Sequence, residues 1–357
     1  MYKGDKVKLI IEWIRKKPIV AFFVITFAIT WGLGFSYIAV LQHDMYQLAF
    51  LVSVATCGPA LAGILVTTVG NREPRSGSKK ARWIAFLIAL LVGTAVFSAF
   101  NFYINNAPVS VIFVVFAFLL VTPPVAYVIS GAFSRVPAVR SSLVSLVDPR
   151  GAIGWSLIAL VIVPCLALLS IAISALFGKY ATFNIGYAAS SYPLLGLIVI
   201  KFLYQLFFYN ATGEEAGWTG FARPRLQARV SPLITALIVT LFWVPWHAFL
   251  WYAEGRGVLS LNYWIDTYVN LIPVSIIYGW LYNRSKGSIL VVGIAHAASN
   301  SVVDFLPNLN SQVFTMTMYA AALLMLLVDR MWKKLPSGNS AVYSSTRFNG
   351  TTYTPHP

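Results

Sequence analysis

Acidic side chains are scarce in this chain, with 11 Asp and Glu in 357 residues against 26 Lys and Arg. Charged residues of both signs make up only 10%, which is too few to solvate the surface of a water-soluble protein of this length. Cysteine is scarcer still: Cys57 and Cys165 both lie in apolar runs and read as core thiols, so neither a disulfide framework nor a thiolate metal cluster is available. The His-Glu-x-x-His signature of single-helix zinc sites is missing. No basic domain interleaved with aromatics is present either, which removes nucleic acid as the reason for the net charge of +15. What remains is apolar: 58% hydrophobic and 15% aromatic residues with a mean hydropathy of +0.74, the composition of a polytopic membrane protein.

The expected fold is all-α, with about ten transmembrane helices. A basic leader, residues 1–17, ends in Arg15-Lys16-Lys17 before an apolar run that is too long for a signal-peptide core and reads as a retained first span. Runs long enough to cross about 30 Å of hydrocarbon follow at 19–40, 48–69, 83–102, 109–130 and 153–177, then at 194–221, 233–251, 264–282, 289–305 and 313–331. With alternating sides, 23 of the basic residues fall on the side of the N-terminus and only Lys179 and Arg256 on the other. This asymmetry predicts an N-in, C-in topology and accounts for the positive charge. The expected units are the leader 1–17, helices one to five in 18–189, a core of helices six to nine in 190–306, helix ten in 307–334 and a polar, disordered tail in 335–357. His356 lies in that tail and His43 in a short outer loop, and both read as incidental. The expected location is the plasma membrane of a prokaryote.

Against this background the stretch Gly213-Glu214-Glu215-Ala216-Gly217-Trp218-Thr219-Gly220 stands out, because it places two adjacent carboxylates after an apolar run. Lys201 and Arg223 are 22 positions apart, about 33 Å of α-helix. If both snorkel to opposite interfaces, the pair lies well inside the membrane, where ionisable residues are functional candidates. Small residues around it, Ala211, Gly213, Ala216, Gly217 and Gly220, allow close helix packing.

Two later spans supply the other polar groups. His247 follows Trp243-Val244-Pro245-Trp246, and His296 and Asn300, four positions apart, share a helix face. These residues offer two chemistries. In one, Glu214 takes a proton from water oriented by His247, while His296 and Asn300 donate to the developing oxyanion. In the other, Glu214, His247 and His296 form a His₂Glu zinc site with one position open for water. The metal-independent version is favoured. On straight, upright helices the three sites differ in depth: His247 lies about 27 Å from Arg229, His296 about 15 Å from Lys286 and Glu214 about 13 Å from its inner flank. A kink at Pro245, a delayed helix entry after Arg229, or tilt must close the difference.

The ordered motifs Glu-Glu-x-Gly-Trp-x-Gly, Trp-x-x-Trp-His and His-x-x-x-Asn resemble those of the CPBP family of intramembrane proteases, which includes type II CAAX prenyl endopeptidases and bacteriocin-processing or self-immunity proteins. The resemblance covers roughly 194–306. It implies a membrane endopeptidase with Glu214 as catalytic glutamate, Glu215 as its support, His247 as water-activating partner and His296 with Asn300 on the oxyanion side. The implied substrate is a membrane peptide or lipidated protein, with a prenylated CAAX protein as one form, met in the bilayer on the cytoplasmic side. The family has been described both as zinc-dependent and as glutamate-dependent, so the metal alternative stays open. This chain departs from the family at Thr219, where an arginine usually follows the second glutamate by one turn. Glu215 thereby loses its expected counter-ion, unless Arg223 or another span replaces it, and the resemblance then allows for a weakened enzyme. The alternatives are a non-catalytic binding or immunity-type protein on the same fold and a proton-coupled transporter; no inverted repeat supports the latter.

Overall fold

The structure, a computed structural model, describes residues 3–40, 53–150, 152–178, 192–305 and 309–336. His43, Lys179, His356 and the segment 337–357 lie outside the described residues. Helices form every regular element among the described residues, with no strand. This is an all-α polytopic membrane protein.

Among the described residues six helices are long and apolar enough to cross a bilayer: Pro18–Ser36, Lys79–Tyr103, Ile153–Leu176, Leu194–Gln227, Pro232–Ala253 and Ser311–Val328. Val111–Val121 and Pro123–Phe133 make a seventh if taken as one span bent by 44°. The bend falls at Thr122-Pro123-Pro124, where the chain lacks two successive amide donors. The other expected runs carry helices of different character. Gly58–Gly70 and Ile289–Phe305 are apolar but short, and Leu261–Arg284 is long but interrupted by Asn262, Asp266 and Asn270.

The basic leader is itself a helix, Lys3–Lys16. It is docked through buried Ile14 and through Arg15 Nε, which donates to the Val69 carbonyl at 3.0 Å. Leu87, Ile88 and Leu91 on Lys79–Tyr103 and Leu157 and Leu168 on Ile153–Leu176 point outward. That pattern suits a surface whose solvent is hydrocarbon, where outward apolar side chains carry no penalty. Inward, Phe22 and Phe23 of the first span join Trp218, Phe221, Trp243, Trp246, Tyr278, Val292 and Ala295 in one cluster. The N-terminal helices and the expected catalytic core are therefore packed as one body.

The helix carrying the acid pair, Leu194–Gln227, departs from α geometry. Gln205–Glu215 and Trp218–Ala222 are π-helical. Such widened turns cluster at functional sites, and here small residues admit neighbouring backbones. A Cβ on Gly217 would lie 2.4 Å from Pro59, one on Gly213 2.9 Å from the Thr56 carbonyl oxygen, and one on Gly293 2.5 Å from the Ala211 Cβ.

The snorkelling of Lys201 and Arg223 does not occur. Lys201 is 8% exposed with its ammonium 5.6 Å from the Phe100 ring centre, and Arg223 is 1% exposed. Both cations fold into the protein, and the helix extends beyond each of them.

Candidate functional site

Two features bring the acid pair and His247 together. Pro232–Trp246 begins only after the turn at Ala228–Ser231, with Ser231 Oγ capping the Ile234 amide. Its regular bonding ends at His247, two residues after Pro245, and a second helix, Ala248–Ala253, continues from there.

At that break the imidazole of His247 is held on three sides. Its Nδ1–H donates to the Trp243 carbonyl at 2.8 Å. The ring stacks on Trp251, centroids 4.6 Å apart and 6° from parallel, and meets the edge of Trp246 at 4.7 Å. Since Nδ1 serves a carbonyl, Nε2 is the free nitrogen, and it stands 3.8 Å from Glu214 Oε2. That separation is too long for a hydrogen bond and suits a water touching both atoms. Trp243 Nε1 donates to the same carboxylate oxygen at 2.5 Å, which fixes the Glu214 rotamer.

Glu215 faces another way. Its Oε1 accepts from His296 Nδ1 at 2.9 Å, with both side chains buried, and its Oε2 accepts from Thr219 Oγ1. Thr219, where the resemblance led to the expectation of an arginine, is thus a hydrogen-bond partner of Glu215. Arg223, one turn further on, carries buried Nε and Nη1 atoms without a hydrogen-bond partner. Gly279 leaves room for it, since a Cβ there would sit 2.8 Å from Arg223 Nη1. The His296 ring is further fixed by Trp243 and Tyr278, each with its ring centre 5.3 Å away.

The five residues singled out in the sequence are therefore placed unequally. Glu214, Glu215, His247 and His296 gather around the Trp243 indole, whereas Asn300 is half-buried one turn beyond His296 and makes no hydrogen bond to the other four. Among the described residues no three His, Cys, Asp or Glu side chains are grouped as metal ligands. His296 spends Nδ1 on Glu215 and His247 spends Nδ1 on the Trp243 carbonyl, so on each ring Nε2 is the nitrogen left to act.

Sequence reasoning missed two participants. Trp243 bonds both Glu214 and His247, and its signal was its position four residues before the histidine, one helical turn away. Asn210, one turn before Glu214, is fully buried with neither amide atom bonded; nothing in its sequence context marks it.

Comparison with known proteins shows what the segment carrying this arrangement is similar to. Residues 195–302, a segment containing all five candidates, match the family model described as type II CAAX prenyl endopeptidase Rce1-like. The match covers about a third of the chain. A wider stretch is 28% identical over 170 residues to CAAX prenyl protease 2 of Methanococcus maripaludis, covering 45% of this chain and 56% of that protein. The chain thus spans little more than half the length of this curated relative. The Rce1-like segment begins one residue into the helix of the acid pair and ends within the helix of His296 and Asn300.

Proposed function

We propose that the protein is an intramembrane endopeptidase that hydrolyses a peptide bond of a membrane-associated substrate, with a prenylated CAAX-type protein as the favoured class. The observation that carries this reading is the 3.8 Å approach of Glu214 Oε2 to His247 Nε2, with the indoles of Trp243, Trp246 and Trp251 against them. In this reading Glu214 takes a proton from a water while His247 Nε2 accepts its second hydrogen bond. The oxygen attacks the scissile carbonyl carbon. His296, held at Nδ1 by Glu215, presents Nε2–H to the resulting oxyanion, and the Asn300 amide lies on the same helix face to share that charge. Collapse breaks the C–N bond, and Glu214 returns the proton to the leaving amine.

No metal enters these steps. The Rce1-like match and the similarity to a CAAX prenyl protease support the reaction class. The 23-to-2 distribution of basic residues supports a site reached from the cytoplasmic leaflet. The bond from Thr219 to Glu215 supports an assembled site despite the missing arginine.

The test is cleavage of a farnesylated CAAX-type peptide by the full chain in liposomes. Glu214→Gln is expected to lower the rate by about 10²- to 10⁴-fold, the range for loss of a general base, with an unchanged size-exclusion profile. Wild-type cleavage by this variant would remove Glu214 as the base, and absence of cleavage by the unaltered chain would favour a binding or immunity-type protein on the same fold.

A further inference from the structure

A second polar site lies away from the acid pair. Between Gly58–Gly70, the start of Lys79–Tyr103 and the bend Pro123–Phe133, a cavity of about 230 Å³ is lined by Arg75, Arg82 and Arg135 together with Tyr127, Ser134, Thr68 and an apolar wall of Ile64, Val136 and Val139. No carboxylate lines it. Glu73, the single acid in residues 71–82, is exposed and forms no ion pair with these arginines among the described residues.

The cavity is built rather than incidental. Arg140 is occupied in holding the loop, donating through Nη1 to the Ser76 and Ser134 carbonyls and through Nη2 to Ser76 Oγ. The Ser76 amide bonds the Arg135 carbonyl at 2.8 Å. Gly77, at φ +91°, makes the turn that lets the Arg140 guanidinium lie against the backbone. Of the three cavity arginines, Arg82 lies over the Tyr127 ring at 5.2 Å, and Arg135 has a buried Nε with no hydrogen-bond partner. Arg82 and Arg135 line one small space with the more exposed Arg75, where like charges repel one another, and the orphaned buried donor of Arg135 adds its desolvation cost. Solvated basic loops that merely obey the positive-inside rule have neither feature.

The surroundings indicate what relieves that repulsion. Trp83, next to Arg82, is 64% exposed and Tyr127 is 40% exposed, the amphipathic rings of a bilayer interface. Leu87 and Ile88, one turn further along, face the hydrocarbon. We propose that this cavity binds the phosphate of an anionic phospholipid head group, with Arg75, Arg82 and Arg135 as its ligands and Tyr127 and Trp83 against the glycerol region. Guanidinium forks match phosphate oxygens in pairs, and basic pockets between membrane helices are a known mode of lipid head-group capture.

The test uses the delipidated full chain in a neutral detergent, read by native mass spectrometry and by thermal melting. The probes are phosphatidylglycerol, phosphatidylcholine of the same chain length, and inorganic phosphate alone. Phosphatidylglycerol is expected to stay bound and raise the melting temperature, phosphatidylcholine to do neither, and millimolar inorganic phosphate to displace little of the lipid. The triple variant Arg75→Gln/Arg82→Gln/Arg135→Gln is expected to bind phosphatidylglycerol at least tenfold more weakly. Arg229→Gln/Lys333→Gln/Lys334→Gln, with the same charge change at exposed positions elsewhere, is expected to bind as wild type. Equal loss in both variants, or none in the first, overturns the site. Inorganic phosphate binding as tightly as the lipid overturns the lipid as its source. If the triple variant elutes aggregated, Arg135→Gln alone replaces it; a several-fold loss supports the site and an unchanged affinity overturns it.

Discussion

Glu215 and His296 close on each other at 2.9 Å, with Thr219 on the remaining carboxylate oxygen, whereas Glu214 and His247, one residue and one helix away, stand 3.8 Å apart with an indole holding the acid. Both are acid–histidine pairs in the same apolar interior, yet one is saturated and the other has room for a third party. The closed pair bonds both Glu215 oxygens and His296 Nδ1, and so can hold the His296 ring in place. The open pair leaves His247 Nε2 and one side of the Glu214 carboxylate facing a common point, which is what a reaction on water requires. Adjacent positions on a widened helix thus direct identical side chains to different tasks.

The sharpest way to break this comparison is at the open pair. His247→Ala is expected to lower cleavage by about 10²- to 10⁴-fold without changing thermal stability in detergent; an equal loss of both would make it a packing residue. At the closed pair the order reverses. Glu215→Ala strands His296 in the interior, and breaking a buried pair costs about 3–5 kcal/mol, so a lower melting temperature should accompany any loss of rate. The double variant Glu215→Gln/His296→Gln should recover part of that stability. Thr219→Val removes one hydrogen bond to a buried carboxylate, about 1–3 kcal/mol, and Thr219→Ser should restore it in the same melting assay. The smallest effect is expected from 1,10-phenanthroline: cleavage should continue unchanged, while loss reversed by added zinc would return the metal alternative.

Much of this site could be read from the chain because ionisable groups are so few that each one inside an apolar run is informative. Glu214, Glu215, His247 and His296 were found that way, and the structure places them together. Glu214 was paired with His247 from the chain, but the bond of Glu215 to His296 was not read, since the acid pair ends the π-helical stretch Gln205–Glu215. Hydropathy carries no signal for such turns, and the 1.5 Å ruler of an α-helix ignores them. The same ruler misplaced Lys201 and Arg223 at the interfaces. Their charges suggested water, but aromatic and helical neighbours enclose them instead. Among the spans, the long apolar ones were plain. Leu261–Arg284 is helical at full length yet too polar to pass as a span on composition, since its polar residues face partners: Ser275 bonds the Ala236 carbonyl and Asn270 accepts from Thr315.

The first helix bears on where this protein can be cut. Thr30 Oγ1 accepts the Trp246 indole N–H at 2.8 Å, Trp31 Nε1 donates to the Trp246 carbonyl, and Phe22 stacks on Phe221 at 4.8 Å. Residues 195–302 excised on their own would therefore leave Trp246, the neighbour of His247, with an orphaned donor and Trp218 with a bare flank. The boundary of the matched segment is not a boundary of packing: side chains outside it complete the surroundings of the candidate site.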